Sequence, residues 1–140
     1  MSENVSAALR RLVRARARSR CEYWQTPEAY ATQAFSIEHI HPLSREGSSS
    51  LENLALSCQG CNNHKFTRIR AADPLTKSTV TLFHPRRHEW QDHFAWHSDG
   101  CHVIGLTPTG RATVETLRLN RPGLLGLRQA LIAIGIHPPL

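Results

Sequence analysis

Between Glu38 and Lys65 the stretch EHIHPLSREGSSSLENLALSCQGCNNHK sets out, in order, a carboxylate–histidine pair, an asparagine and a Cys-x-x-Cys-Asn-x-x-Lys run. No other part of the chain restricts the fold as much. Phe35, Ile37 and His39 alternate with Ser36, Glu38 and Ile40, the two-residue period of a strand, and Pro42 ends it. SREGSSS is a loop by composition. LENLALSC reads as a second short strand leading into the knuckle CQGC, and the residues from Asn62 to about Ala72 read as a helix closed by Asp73-Pro74. Strand, loop, strand and helix together make a small α+β core.

The flanks frame this core. Residues 5–19 contain neither Pro nor Gly, and Val5, Leu9, Leu12 and Val13 fall near helical spacing, which predicts a helix with a basic flank. QTPEAY reads as a turn, with Pro27 opening a short helical piece. STVTLF and HVIGLTP are strand candidates. GRATVETLRLN and GLLGLRQALIAIG predict two closing helices, with Leu117, Leu119, Leu124, Leu127, Leu131 and Ile134 in the core. His84/His88 and His93/His97 have the i, i+4 spacing of ligands on one helix face. Pro85 interrupts the first pair, however, and Phe83, Trp90, Phe94 and Trp96 make this segment one that packs. Cys101 stands alone and is expected to be a small buried residue.

With 140 residues, 40% hydrophobic and 20% charged, the chain reads as one soluble globular domain whose core needs no disulfide or metal staple. It has no run long enough to span a bilayer and no apolar secretory segment at its start. The Arg-rich, Ser-containing N-terminus shares features with an organelle transit peptide, yet runs into Cys21 without a spacer and is read as part of the domain. A Cys-x-x-Cys pair among four cysteines suggests metal in a reducing cytoplasm rather than disulfides. The formal charge is +6, and Arg10, Arg11, Arg14, Arg16, Arg18 and Arg20 precede the first cysteine against one acid, Glu3. Further basic groups at Lys65, Arg68 and Arg70 and at Arg86-Arg87 flank the same region, which points to phosphate as partner.

The ordered set Glu38-His39, Asn53, Cys58-x-x-Cys61-Asn62 and Lys65 resembles the HNH endonucleases, the ββα-metal nucleases, over Cys21 to about Arg70. The resemblance implies a ββα-metal core with an N-terminal helix, extra short strands and C-terminal helices. The organisation expected is a basic helix over 1–20, the core over 21–72 and an extension packed on it over 73–140. His39 matches the general base that takes a proton from the attacking water, a task suited to an imidazole with an ordinary pKa near ~6.5. Glu38 stands where the family usually has Asp and implies a carboxylate ligand to one divalent ion, about one methylene further out. Asn62, at a position held by His or Asn, implies a second, neutral ligand. Asn53 implies an amide that pins the loop and so sets the angle of the His39 ring. Oxygen ligands of this kind favour magnesium or manganese. Lys65, Arg68, Arg14 and Arg18 are the expected nucleic-acid contacts, whereas His41 and His64 read as structural or surface residues. The partner implied is DNA, with no membrane and no small-molecule cofactor.

One departure stands out. Relatives of this type hold a structural zinc with two Cys-x-x-Cys pairs. Here Cys58 and Cys61 are intact, but the first pair reads CEYW, with Cys21 present and Trp24 in the fourth position. An indole cannot ligate zinc. Cys21, Cys58 and Cys61 could form a three-thiolate site completed by histidine or water, or the zinc could be lost with Trp24 packing over the cysteines, or the domain could be an inactive nuclease. Weak or absent zinc is the expectation. Two functional readings follow: a metal-dependent DNA endonuclease, and a nucleic-acid-binding module with a nuclease-like core that does not cut. A scaffold for protein interaction alone leaves the joint presence of Glu38, His39, Asn53 and Asn62 unexplained.

Overall fold

Ser6 begins the first helix. In the computed structural model, which describes residues 5–139, its hydroxyl accepts the Leu9 N–H at 3.2 Å and caps α1 (Ala7–Arg16). Val5 and Val13 are buried, while Leu12, expected on the same stripe, is exposed. The helix stops short of Ser19 because Arg18 and Ser19 both adopt positive φ. Arg14 and Arg16 lie in its last turn, where they complement the helix dipole.

Strand β1 (Ser36–His39) pairs antiparallel with β2 (Leu54–Ser57), in register from Ser36↔Ser57 to His39↔Leu54. Every residue of β2 is buried, which explains its unbroken LALS character. The knuckle then opens α2 (Gln59–Lys65), completing strand, strand and helix. This helix is shorter than the sequence predicts. Phe66 leaves helical geometry at φ 52°, and the residues expected to continue the helix instead form β3 (Arg70–Ala72), paired with β4 (Thr79–Thr81). Asp73 accordingly opens the β3–β4 turn rather than closing a helix. Its carboxylate accepts the N–H groups of Leu75 and Thr76, and the Arg111 guanidinium, 2.9 Å from both oxygens, holds it far below the usual carboxylate range.

The described residues fall into two compact units, 5–69 with 84–88, and 70–83 with 89–139. The first holds α1, β1, β2 and α2. The second adds to β3 and β4 a short helix α3 (Trp90–His93), the antiparallel pair β5 (Phe94–Trp96) and β6 (Val103–Gly105), and helices α4 (Pro108–Leu117) and α5 (Pro122–Ala133). Architecturally the chain is α+β, with small antiparallel strand pairs among its helices. No helix among the described residues is long and apolar enough to cross a membrane.

Within the second unit, Thr107 caps α4 and Pro108 occupies its first turn. Gly110 is required by close approach, since a Cβ there would stand 2.1 Å from the His93 carbonyl oxygen. Leu117, Leu119, Leu124 and Leu131 are buried as expected, but Ile134 is 60% exposed, because it follows the end of α5 and leaves its apolar stripe. Arg128 replaces it as the unexpected core residue. Fully buried, its guanidinium donates to the carbonyls of Cys101 and Leu119 and to Asn120 Oδ1, and it lies 5.2 Å from the Trp96 ring centre. Each buried carbonyl left without its donor costs about 1–3 kcal/mol. Arg128→Met is therefore expected to destabilise the chain by at least about 2 kcal/mol, and Arg128→Lys to restore little, since one ammonium cannot reproduce the planar fork. Urea denaturation followed by tryptophan fluorescence measures both.

Candidate functional site

The loop between β1 and β2 is built around Asn53, which is 8% exposed. Its Oδ1 accepts the His41 N–H at 2.8 Å, while Nδ2 donates to the carbonyls of His41 at 2.9 Å and Ser48 at 2.7 Å. Its own carbonyl accepts the Ile40 N–H at 2.8 Å. The loop closes so tightly that a Cβ on Gly47 would lie 1.7 Å from the His41 carbonyl oxygen, which is why glycine stands there. By fixing Ser48, Asn53 presents the next residue to the catalytic candidate: Ser49 Oγ lies 3.0 Å from His39 Nε2. Burial lowers the His39 pKa, so the ring is neutral at neutral pH. His41 is exposed, with Nε2 2.8 Å from the Arg45 carbonyl oxygen, in keeping with a surface role.

Glu38 has a different environment. Glu38 and His39 are neighbours on β1, paired in register with Ala55 and Leu54, and both line one cleft. Glu38 is 5% exposed, and Lys65 Nζ stands 2.7 Å from its Oε1. Both carboxylate oxygens are closed to solvent. Lys65 also donates to the Ile40 carbonyl at 2.8 Å and is only 1% exposed. The expectation that Lys65 meets phosphate is therefore corrected. It is the last residue of α2, on the buried side, where its charge answers Glu38. The Tyr23 phenol belongs to this cluster, raised well above its ordinary value by burial and then by the Glu38 charge. As a test of fit to a hard divalent ion, Glu38 supplies a carboxylate and Asn62 an amide oxygen on the same cleft, with the Lys65 ammonium already 2.7 Å from Oε1.

The thiols of Cys21, Cys58 and Cys61 lie within 4.8 Å of one another, all buried. Cys58 caps α2, its sulfur accepting the Cys61 N–H at 3.5 Å. Burial pushes Cys21 up to about 12 and Cys61 well above its usual value, so without a cation these are neutral thiols. The three could hold a metal ion. Trp24 is fully buried, and among the described residues no fourth His, Cys, Asp or Glu joins the group. Glu22 ties the knuckle to β2 by accepting the Leu56 N–H at 2.8 Å, and it pairs with Arg86.

Against this geometry, residues 21–68 match the family model of HNH endonucleases. This segment is similar to HNH endonuclease domains. No curated protein and no solved structure matches the chain.

The matched segment faces a cleft of about 660 Å³ lined by Arg10, Glu38, His39, Asn62, Asn63 and Phe66, among others. Asn62 is half-buried and sits within α2 rather than at its start, since the helix begins at Gln59. The expected phosphate contacts divide. Arg18 and Arg68 are exposed. Arg14 is not available in the way expected: it binds both oxygens of Glu28, at 3.2 and 3.1 Å, and the Phe35 carbonyl. That guanidinium also lowers the Glu28 pKa. Arg16 similarly donates to the carbonyls of Leu51 and Leu54. These arginines fasten α1 to the HNH hairpin, a role that charge clustering alone does not reveal. Sequence reasoning also missed Ser49, one of three successive serines with no periodic signal to single it out.

Removing one member of a buried ion pair strands the other, at about 3 kcal/mol or more. Lys65→Met is expected to destabilise the domain by that amount. The double variant with Glu38→Gln is expected to lose at least about 1 kcal/mol less than the sum of the single losses. Urea unfolding of the four proteins measures the coupling, and strict additivity would rule it out.

Proposed function

We propose that the chain is a metal-dependent DNA endonuclease in which His39 activates the attacking water. The observation that carries this reading is the arrangement of His39: a neutral imidazole fastened at Nε2 by Ser49, held in a loop closed by Asn53, and lining one cleft with Asn62. The Ser49 hydroxyl can donate to Nε2 or accept from it, and the ring nitrogen that carries no proton is the basic atom. His39 accepts the proton as the water oxygen attacks phosphorus, one P–O ester bond breaks, and the departing oxygen takes a proton from solvent. Glu38 and Asn62 would hold a magnesium or manganese ion, which when bound supplies positive charge against the charge that develops on the phosphoryl group. Asn53 acts through the loop and does not touch the reacting atoms. Arg18 and Arg68 serve phosphate.

In this reading residues 21–72 form the catalytic core, 1–20 a basic helix and 73–140 an extension. The thiol triad, with Trp24 in place of a fourth ligand, binds zinc weakly or not at all. Four free cysteines suit a reducing cytoplasm.

A second reading has one specific observation in its favour. Lys65 already supplies a positive charge beside Glu38, at 2.7 Å, where a catalytic ion would need the carboxylate. A domain so arranged could bind nucleic acid without cutting it.

Cleavage of supercoiled plasmid with magnesium, manganese or chelator separates the two. Metal-dependent nicking that His39→Ala abolishes, with DNA binding retained, is the expected result. Folded protein that binds DNA and cuts with neither ion would establish the second reading. Because folding disfavours protonated His39, activity is expected to hold across neutral pH and to fall only as pH drops through a value below the ordinary ~6.5. The acid limb of kcat/KM against pH checks the sign; a limb shifted above that value would contradict it.

A further inference from the structure

Phe66 combines two features that folding does not reward. Its side chain is 74% exposed, the most open of the large apolar residues among those described. Its backbone sits at φ 52°, ψ −126°, a region that favours glycine. The conformation is nonetheless held on both sides. The Phe66 N–H donates to the Asn62 carbonyl at 2.9 Å, and Arg45 Nε donates to the Thr67 carbonyl at 3.0 Å. A bulky apolar ring kept in water on an uncomfortable backbone is of no use to the core. It does, however, line the same cleft as His39, Asn62 and Arg10, with Arg68 exposed two residues further on.

The chemistry that such a ring recognises beside a phosphate-directed cleft is a flat, apolar nucleobase face. Bases in an intact duplex present only their edges, and their faces are covered by neighbours. A ring projecting beside the scissile phosphate can stack only on a base that is unpaired or displaced from the helix.

We propose that Phe66 is a stacking platform for an unstacked nucleobase next to the cleavage site, so that the protein prefers single-stranded or locally opened DNA. This rests on the endonuclease reading for the position of the cleft, but its test reads binding rather than cutting. The probe is a fluorescein-labelled oligonucleotide, presented single-stranded or as the perfect duplex and followed by anisotropy, with proteins in a His39→Ala background so that no strand is cut. Stacking on one base corresponds to a loss of roughly five-fold to a hundred-fold on truncation. Phe66→Ala is therefore expected to weaken single-strand binding about ten-fold or more and duplex binding by less than about two-fold, with Phe66→Trp close to the parent. Phe66→Gly separates binding from folding: it relieves the backbone, so the melting temperature should hold or rise while single-strand affinity falls as for Ala.

Single-strand affinity unchanged in the Ala and Gly variants would overturn the proposal, as would equal losses on both forms of DNA. Absence of DNA binding by the parent would overturn it too. Phe66-dependent single-strand binding in a protein whose wild-type form cuts no plasmid would sustain the stacking platform while removing the endonuclease reading, so the two fail separately.

Discussion

The buried contact between Glu38 and Lys65 joins the parts that make this site. Glu38 belongs to the first strand, Lys65 to the helix after the knuckle, and the Lys65 ammonium also holds the Ile40 carbonyl at the start of the loop. One cation thus fixes strand, helix and loop in a region nearly closed to water. Burying two charges is costly, and attraction between them offsets this only when both stay in place. The contact spans strand β1 and helix α2, so it ties the hairpin to the helix. Everything on the cleft side, including the orientation of His39 and the place of Asn62, depends on that arrangement.

The loop beyond Ile40 solves a second problem with neutral groups. Fourteen residues separate the strand ends, Ile40 to Asn53, and a segment of that size would wander without internal bonds. Asn53 supplies three side-chain hydrogen bonds, and Gly47 permits the close approach that they require. Ser49 then meets His39 because its neighbour is fixed. The imidazole is held by a chain of ordinary hydrogen bonds, each of modest strength, whose effect is positional.

Much of the core was legible in the sequence for a simple reason. The alternation around Ile37, the loop composition and the Cys-x-x-Cys spacing are local signals, and the structure places them as strand, strand and helix. The Asn53 role was legible only through family resemblance, since a lone asparagine has no period. What sequence could not supply was direction. Lys65 and Arg14 look like phosphate ligands in a basic chain, but whether a charged side chain faces solvent or an internal carboxylate depends on packing partners far away in sequence. The end of α2 at Phe66 was missed for a related reason: nothing in NNHKFTRIRAA breaks a helix by propensity, and the register of Arg70–Ala72 against Thr79–Thr81 overrides it. Ile134 erred by extending a helical stripe past the helix end.

The two departures from the family pattern act on different parts of the domain. Trp24 takes the position of a metal ligand in the family pattern and is fully buried, while the three remaining thiols still lie close enough to one another to hold an ion. Glu38 in place of the shorter Asp has another consequence. The additional methylene lets the carboxylate extend further from β1, and in the structure that reach ends at Lys65 on α2. A shorter acid on the same backbone would stand further from that ammonium. Trp24 is not among the residues that line the cleft. The second departure governs the charge at the cleft itself, because the carboxylate that would serve a cation is the one already facing Lys65.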